Sequence, residues 1–404
     1  MNQNAALLEA RACPVCQGTH CEVLYSHRFS QLPGVALTGF TQQIGGCRTC
    51  GAIYVPEFLT DAALGQYYSA MSSYEYSQSG YEYPEPHRRR SAQQFAFVSR
   101  FVDRPAACPV LDIGCSLGYT LSLFKTAGHP VQGIEPSERL AQRASAQGIP
   151  VSAGFISEST ELPPGQGLVI LSHVLEHLKN PLGILKRIRG AMAPDGLLFI
   201  EVPAIELFDE QDLFQFFFEH VNYFSLGSLG NLMHLAGFEA VEHVVFQNDD
   251  GTAPFCPTLA TLWRPSDRRH PLIDRQARDF AVLRKYAALV ERSQQVIQAK
   301  IADLLAEGAQ IGIWGGGTLT AQLLAQTDLR HQLDRVAAVF DNDPKKHGER
   351  IEGIRILHPD ATEAQALLAS ALPVVIGSWS SHSEIKEQLG RLGVADERIH
   401  CIYR

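Results

Sequence analysis

The stretch PVLDIGCSLGYTLSLFKTAGHPVQGIEPS, residues 109–137, decides the fold of the central part of the chain. An apolar run over 110–113 leads into a glycine turn and predicts a buried strand, and apolar residues at helical spacing after Gly118 predict a helix. A second short strand, VQGIE, ends in Glu135. This order predicts a nucleotide-binding α/β unit, in which an acidic residue at the tip of the second strand can accept the hydroxyls of a ribose.

The glycine pattern Asp112-x-Gly114-Cys115-x-x-Gly118 lacks the second glycine of a dinucleotide-binding G-x-G-x-x-G loop. It resembles the loop of the class I methyltransferases that depend on S-adenosyl-L-methionine (SAM). The resemblance implies SAM as methyl donor, a glycine loop against its methionine part and an acid on its ribose. Asp112 could instead hold the backbone amides of the loop without touching the cofactor. The cofactor-binding residues predicted in this way are Asp112, Gly114, Cys115, Gly118, Glu135 and His173.

The alternation of strands and helices continues beyond this unit. GLVILSHVLEHL (167–178) is an apolar strand that runs into a His-rich loop, and LLFIEVP (197–203) is the next strand. Such alternation predicts a mostly parallel sheet with ligands at the carboxyl ends of its strands. The HVLEH segment and FFFEHVNYFS (216–225) both follow those ends, so we expect them to converge on one cleft walled by the aromatic residues. His173 and His177 could instead cap a strand end or bond backbone in the interior.

Two Cys-x-x-Cys pairs, CPVC (13–16) and CRTCG (47–51), stand near the start of the chain. Each pair places two thiolates on one tight turn, and two such turns provide the tetrahedral sulfur cage that zinc prefers. Four thiolates leave no position for water or substrate, so we expect a structural Zn(II) in a zinc ribbon. Cys21 fits neither pair and is interpreted as a small buried residue. The predicted metal ligands are Cys13, Cys16, Cys47 and Cys50.

A second glycine-loop unit follows residue 265. A long stretch with little glycine or proline predicts a helix that packs between domains, and QIGIWGGGTLTAQLLAQ (310–326) then repeats strand, loop and helix. The next strand ends in Asp341, although many strands of this kind end in Asp without a ligand. We therefore expect three domains: a zinc-binding domain over 1–80, a SAM-binding methyltransferase domain over 81–265, and a linker helix with a Rossmann-like domain over 266–404 that binds the nucleotide of the substrate.

The order of these parts resembles one family, the SAM-dependent sugar C-methyltransferases that act on nucleotide-activated 4-keto-deoxyhexoses. The resemblance covers nearly the whole chain and includes the Glu219-His220 pair with the Tyr-Phe-Ser run that follows it. It implies that His220 removes the proton next to the ketone, and we expect Glu219 to fix its tautomer or stabilise its imidazolium. The other catalytic residues that it implies are His177 and a tyrosine after the zinc domain, Tyr74 or Tyr76.

The chain departs from the family pattern in places that matter for the substrate. Phe217 and Phe218 stand where many members have Tyr and His, and the C-terminal loop WGGGTLT lacks the usual lysine. The segment NDDGTAPFCPTLATLW replaces an expected Gly-Gly-Ser-Leu-Arg motif. We therefore expect a different substrate. O- or N-methylation of a sugar or other small molecule remains an alternative, because the same His220 could deprotonate a hydroxyl group.

Composition and charge disfavour other classes of function. The formal net charge of -9 argues against a nucleic-acid partner, and thus against an RNA methyltransferase with the same zinc and SAM domains. The chain has no run of 18 apolar residues and no signal-like N-terminus, so we expect a cytoplasmic protein without a membrane partner. The expected partner is a nucleotide-linked sugar, no oligomeric state is indicated, and a non-catalytic protein with a SAM fold is the remaining alternative.

Overall fold

In the computed structural model the described residues are 6–32, 34–70, 85–102, 105–209, 215–247, 256–268, 270–306, 310–378 and 381–403. Within these ranges the main sheets have four, seven and six strands. The four-stranded sheet is built mostly from the N-terminal part of the chain, the seven-stranded sheet from the middle and the six-stranded sheet from the C-terminal part. The predicted site residues Tyr74 and Tyr76 lie outside the described residues.

A long hairpin dominates the N-terminal part. The strands are β1 (Leu8–Ala10), β2 (Cys21–Leu32), β3 (Val35–Cys47), β4 (Ile53–Tyr54) and β5 (Glu57–Leu59), followed by the helices α1 (Asp61–Ala70) and α2 (Glu85–Val98). In β2 every second residue over 25–29 is buried and the residues between are exposed, which is the pattern of a strand with one face on a core. The hairpin register places Cys21 opposite Cys47, so the hairpin ends at the second cysteine pair.

The middle of the chain forms the seven-stranded sheet. Its strands are β6 (Val110–Ile113), β7 (Val131–Glu135), β8 (Val151–Ala153), β9 (Gln166–Ser172), β10 (Met192–Pro203), β12 (Phe238–Phe246) and β13 (Thr258–Pro265), with β11 (Asn222–Tyr223) between β10 and β12 in the chain. The helices are α3 (Tyr119–Thr126), α4 (Glu138–Ala146), α5 (Pro181–Ala191) and α6 (Leu226–Leu235). Ser137 and Asn180 cap α4 and α5 by accepting backbone N–H bonds, as polar residues at these positions commonly do.

The strand order of this sheet is β12-β13-β10-β9-β6-β7-β8. Its pairings are parallel except those of β13, which runs antiparallel to both neighbours. All four residues of β6 are buried, as expected for a strand covered on both faces. The order reverses at β6, since β7 lies on one side and β9 on the other, and ligands bind at the carboxyl edge of such a switch point. The expected class I methyltransferase fold is confirmed.

The short strand β11 leaves this sheet and joins the N-terminal one. It pairs antiparallel with β4, in the order β11-β4-β3-β2. The sequence boundary of 81–265 places these residues in the middle domain, but their backbone hydrogen bonds belong to the sheet that ends at the cysteine pairs. A strand of two residues has no periodicity that a sequence pattern could detect. The FFFEHVNYFS segment therefore connects two sheets.

The C-terminal part begins with one long helix, α7 (Gln276–Leu305). The six-stranded sheet that follows has the order β16-β17-β15-β14-β18-β19, and its pairings are parallel except that of β16. Its elements are β14 (Ile311–Trp314), α8 (Thr318–Gln326), β15 (Val336–Phe340), β16 (Arg350–Ile351), β17 (Ile354–Leu357), α9 (Thr362–Ala369), β18 (Val374–Ile376), α10 (His382–Arg391) and β19 (Ile399–His400).

The helix α7 belongs to two hydrophobic cores. Leu283 and Val290 in its first half pack in the core under the N-terminal sheet. Ile297 and Ile301 in its second half pack in the core of the C-terminal sheet. The helix α7 therefore joins these two cores, and its assignment as a linker between domains stays a prediction. Over the described parts of the chain we find no helix with the length and apolar character needed to span a membrane.

Candidate active site

The loop between β6 and α3 depends on two glycines. Gly114 and Gly118 have φ angles of 79° and 72°, in the left-handed region that side chains rarely adopt. A Cβ atom on Gly114 would lie 2.6 Å from Cγ2 of Val174. A side chain at Gly114 is therefore excluded both by its backbone conformation and by the loop that follows β9. The glycine loop and the HVLEH segment are in direct contact.

Two buried carboxylates flank this loop. Glu135 accepts hydrogen bonds from the backbone N–H groups of Ser116 at 2.8 Å and Ser137 at 2.9 Å, so it joins the loop to the start of α4. Burial raises the pKa of Glu135, although both hydrogen bonds oppose the shift. Burial also raises the pKa of Asp112 to about 7, and the charge of Glu135 adds to this. Glu135 thus stands at the tip of β7, and Asp112 is enclosed in the interior.

The two His-containing segments meet at the carboxyl edge of the sheet, as the parallel-sheet argument predicts. The imidazole rings of His177 and His220 pack edge to face with their centroids 5.0 Å apart. A carboxylate oxygen of Glu176 and one nitrogen of each ring all lie within 4.8 Å of one another. The N–H of Val221 donates to the carbonyl of Glu176 at 2.9 Å, which joins the segments through their backbones.

Burial and charge decide the protonation of this cluster. Burial and the charge of His177 lower the pKa of His220 to about 3, although Glu176 opposes the shift. Burial would raise the pKa of Glu176, but the hydrogen bond from His173 and the charges of the three histidines lower it to about 2. At neutral pH, His220 is therefore a neutral imidazole close to an ionised carboxylate. A neutral imidazole has a free lone pair for a substrate proton, but a pKa this far below neutral makes His220 a weak base in the protein without substrate.

His173 lies between two buried carboxylates. Its Nδ1 is 3.2 Å from Oε1 of Glu176, and its Nε2 is 3.8 Å from Oε1 of Glu201. Its φ angle of 54° is uncommon for a residue with a Cβ atom. Burial would lower the pKa of His173, but the two carboxylates outweigh it and raise the pKa. The structure thus shows His173 as part of the charge cluster, and its role in cofactor binding stays a prediction.

Glu219 contacts a tyrosine that the sequence did not single out. The Tyr67 hydroxyl in α1 donates to Oε1 of Glu219 at 2.5 Å, and its side chain is buried. The backbone carbonyl of Glu219 lies 3.1 Å from Nδ1 of His177. Among the described acidic side chains, Glu176 is the one grouped with His177 and His220. The side chain of Glu219 is therefore hydrogen-bonded to Tyr67, and the carboxylate that lies near His220 is that of Glu176.

Tyr68 also approaches the cluster. Burial raises the pKa of Tyr68, and the charges of Glu219 and Glu176 add to the shift. The ring of Tyr68 lies 5.3 Å from that of Phe155, which is largely exposed. Tyr67 and Tyr68 are consecutive residues of an ordinary helix without a motif. The pair of adjacent tyrosines is the signal that could have drawn attention to them.

The expectation that the aromatic residues form the cleft walls is wrong for four of the five in this run, since Tyr223 and Phe224 are buried in the hydrophobic cores as well. Phe216 and Phe218 are 3% and 2% exposed and pack in the core under the N-terminal sheet. Phe217 is partly buried, and its ring centroid lies 5.1 Å from that of His220. Successive side chains of an extended segment point to opposite sides. The side chains of Phe216 and Phe218 therefore point into the core, and that of Phe217 points away from the core. Phe217 is the aromatic residue of this run that borders the histidines.

Comparison with known proteins finds a family match for each of the two larger parts of the chain. Residues 86–243 match a family described as "Methyltransferase domain". The middle of the chain is therefore similar to methyltransferase domains. Residues 273–399 match a family described as "C-methyltransferase C-terminal domain". Each of these matches covers less than half of the chain.

The similar proteins include methyltransferases of several kinds. C-methyltransferase NovU from Streptomyces niveus is 30% identical over 259 residues, which are 61% of this chain and 61% of that protein. A tRNA U34 carboxymethyltransferase from Idiomarina loihiensis is 31% identical over 127 residues, 29% of this chain and 39% of that protein. A solved structure, a putative SAM-dependent methyltransferase from Listeria monocytogenes, matches 44% of this chain and all of its own at 14% identity, with a TM-score of 0.37. The chain thus spans less than two thirds of these two curated relatives.

The glycine loop of the methyltransferase domain fits SAM. The Oγ of Ser116 is buried and makes no hydrogen bond to any part of the chain that the structure describes. The absence of a Cβ atom at Gly114 keeps the loop close to Val174, and the Glu135 carboxylate lies at the loop through its bond to Ser116. The unpartnered Ser116 hydroxyl and the acid at the tip of the second strand are polar groups to which a ribose with an amino-acid tail could bond.

The four cysteines in front of the methyltransferase domain fit a zinc ion. Their sulfur atoms lie within 4.8 Å of one another, with Sγ···Sγ distances of 3.6 Å for Cys13 and Cys50 and 3.4 Å for Cys16 and Cys47. A tetrahedron with Zn–S bonds of about 2.3 Å has its sulfur atoms about 3.8 Å apart. Cys21, in contrast, is partly buried and lies opposite Cys47 in the hairpin.

The glycine loop of the C-terminal part is held by its own acidic residue. Asp341 accepts a hydrogen bond from the N–H of Gly316 at 2.6 Å, and its Oδ2 lies 3.1 Å from Nζ of Lys346. Gly315 has a φ angle of 108°. A ribose at this carboxylate would compete with Lys346. The contacts therefore favour a role for Asp341 in shaping the loop.

Proposed function

We propose that this chain is a SAM-dependent C-methyltransferase that acts on the carbon next to the ketone of a nucleotide-activated 4-keto-deoxy sugar. The observation that carries the proposal is the neutral imidazole of His220 at the carboxyl edge of the methyltransferase sheet, beside Glu176 and His177. The similarity to a C-methyltransferase and the C-terminal match support methylation at carbon. The sugar and its nucleotide come from the family resemblance.

In the proposed reaction, His220 removes the proton from the carbon next to the ketone. A carbon acid of this kind does not ionise freely, and a positioned base contributes about 10²- to 10⁴-fold to such a step. The proton moves to a nitrogen of His220, and the electron pair remains as an enolate. SAM bound at the glycine loop would supply the methyl group from its sulfonium to the enolate carbon, and its sulfur would keep the electron pair of the broken methyl–sulfur bond.

Other residues of the chain prepare this step. His177 packs against His220, and its Nδ1 lies 3.1 Å from the carbonyl of Glu219, which limits the rotation of its ring. The Tyr67 hydroxyl holds the carboxylate of Glu219. Fixed rings lower the entropic cost of aligning base and substrate. The family resemblance also implies a catalytic role for Tyr74 or Tyr76, which lie outside the described residues.

We propose that each of the three parts of the chain binds a different group. Residues 1–80 form a zinc domain with a structural Zn(II) on its four cysteines, and residues 81–265 bind SAM through Glu135 and the glycine loop. Residues 266–404 bind the nucleotide of the substrate. The carboxylate of Asp341 is already paired with Lys346. We therefore propose that groups of the C-terminal part other than Asp341 bind the nucleotide.

The proposal is tested by incubating the protein with isotope-labelled SAM and a panel of nucleotide-linked 4-keto sugars. Product mass and NMR then identify the methylated atom, and deuterium uptake next to the ketone reports proton abstraction separately. His220→Asn should abolish both while SAM affinity persists. A methyl group on oxygen or nitrogen, without deuterium uptake, would favour the alternative of O- or N-methylation. No methylation of any sugar would overturn the proposal.

A further inference from the structure

Glu176 has an unusual position for an acidic side chain. It lies in the turn after β9 and is 1% exposed. Its Oε1 is 3.2 Å from Nδ1 of His173 and 4.0 Å from Nε2 of His177. A nitrogen of His220 lies within 4.8 Å of its carboxylate. The carboxylate of Glu176 therefore has three imidazole rings around it.

This arrangement is poorly explained by stability alone. Its Oε2 is buried and has no hydrogen-bond partner among the residues that the structure describes. Removing a carboxylate from water costs several kcal/mol unless good partners satisfy it, and replacement of such groups by apolar residues is often neutral or stabilising. Arg90, a nearby cation, is paired with Glu201 at 3.2 Å. A buried charge with one unbonded oxygen, at the carboxyl edge of the seven-stranded sheet, points to a role in the chemistry.

We infer that Glu176 is a positioning residue that supplies the counter-charge for His220 when this ring takes up a proton from the substrate. The inference rests on the proposed function, because it concerns the proton-abstraction step. When His220 becomes an imidazolium, a positive charge appears in a buried site, where charges interact more strongly than in water. The ionised Glu176 is already in place and needs no reorganisation to stabilise this charge.

The acidic neighbour of His220 in sequence is less suited to this role. The carboxylate of Glu219 accepts the hydrogen bond of Tyr67 at 2.5 Å, which withdraws part of its charge. Glu219 is also not part of the group formed by Glu176, His177 and His220. The geometry therefore favours Glu176, rather than the adjacent Glu219, as the carboxylate that stabilises the imidazolium of His220.

A metal ion is the competing explanation for the same atoms. Two neutral imidazoles and a carboxylate are ligands that suit zinc and other first-row divalent metals. A metal ion on His220 would occupy the lone pair that must accept the proton. Both a counter-charge role and a metal site would leave Oε2 of Glu176 without a hydrogen bond to the protein. A measurement of metal content is therefore needed to distinguish the two.

Glu176→Gln keeps the shape of the side chain and removes its charge. We expect deuterium uptake next to the ketone and kcat to fall about 10²-fold, the low end of what a positioned base contributes. The primary isotope effect with substrate deuterated at this carbon should rise, because proton abstraction becomes rate-limiting. SAM affinity and circular dichroism should not change. Glu176→Asp should recover part of the loss, and Glu242→Gln, a change at an exposed position of β12, should behave like the wild type.

A measurement without substrate separates this inference from the proposed function. In the free protein, Glu176→Gln should lower the titration midpoint of His220, which also faces His177 and His173. If this shift occurs but the wild-type protein takes up no deuterium from any keto sugar, the proposed function fails and the charge coupling stands. If the wild type exchanges and Glu176→Gln exchanges equally fast, the inference fails. A second equivalent of metal per chain that Glu176→Gln releases would overturn it in favour of a metal site.

Discussion

At the scale of single residues, the candidate site depends on pairings between distant positions. Tyr67 and Glu219 are separated by 152 positions in the chain, yet their side chains share a hydrogen bond of 2.5 Å. Asp112, Gly114 and Glu135, in contrast, stand within one contiguous unit, and their spacing alone predicted where they lie. Local spacing thus predicts a loop, whereas the partner of a side chain across the fold has no signature in the sequence.

Tyr67→Phe tests the pairing at this scale. The ring stays in its core, but Glu219 loses a hydrogen bond that, being made to a charged group, contributes about 1.5–3 kcal/mol. We expect a lower midpoint of thermal unfolding and a kcat lowered about tenfold, read from methyl transfer out of labelled SAM.

A double-mutant cycle with Glu219→Gln provides the control. If Tyr67 acts through Glu219, the effects of the two changes on kcat will not add. Additive losses would contradict this and give Tyr67 a separate role.

At the scale of elements, the β2–β3 hairpin supports the segment that carries His220. Nε2 of His27 in β2 lies 3.1 Å from Oε1 of Gln42 in β3, and Nε2 of Gln42 donates to the carbonyl of Phe218 at 3.0 Å. The N–H of Val55 donates to the carbonyl of Val221 at 3.0 Å on the other side of the segment. The backbone on both sides of Glu219 and His220 is therefore bonded to the N-terminal sheet.

His27 should make the protein sensitive to acid. Burial lowers the pKa of His27 to about 4, although its hydrogen bond with Gln42 opposes the shift. Between about pH 6.5 and pH 4, His27 is protonated in the unfolded chain but stays neutral in the folded protein. The unfolded state therefore binds more protons in this pH range, and the free energy of unfolding falls as the pH is lowered. The stability that neutral His27 contributes is complete above about pH 6.5 and is lost as the pH falls towards 4, by about 3 kcal/mol at most.

Urea unfolding at several pH values between 7 and 4 checks this expectation. His27→Gln should be less stable than the wild type at pH 7, and the difference should shrink as the pH falls. A difference that stays constant with pH would show that His27 does not titrate as its burial requires.

At the scale of the whole molecule, the cysteine cluster and the candidate base belong to one sheet system. The second cysteine pair is adjacent to β4, β4 pairs with β11, and β11 follows His220 directly in the chain. The C-terminal part contacts the same segment, since Nε2 of Gln322 lies 3.5 Å from the carbonyl of Phe216. The segment of His220 is thus in contact with all three parts of the chain.

Loss of zinc should therefore reduce turnover more than cofactor binding. Cys50→Ser removes one ligand, and we expect it to lower the zinc content from one equivalent per chain and kcat at least about tenfold, because β4 and β11 lose their anchor. The affinity for SAM should change little, since the glycine loop lies in another sheet. Metal analysis, methyl-transfer rates and calorimetry with SAM measure the three quantities.

Cys21→Ser is the matched control for this prediction. It changes a thiol of the same hairpin that is not part of the four-cysteine cluster. It should retain both zinc and turnover. Full turnover of a zinc-free Cys50→Ser protein would contradict the coupling between the two sites.

The sequence by itself determined the elements whose residues are close together in the chain. The strand, loop and helix around Gly114, the two Cys-x-x-Cys pairs and the second glycine-loop unit all follow from short-range spacing, because backbone conformation and periodic burial are local properties. Only the tertiary structure decided that Glu176 faces His220, that Tyr67 binds Glu219 and that β11 joins the N-terminal sheet. Those contacts arise from the packing of separate sheets against one another, and packing depends on shapes and distances that no local pattern of residues encodes.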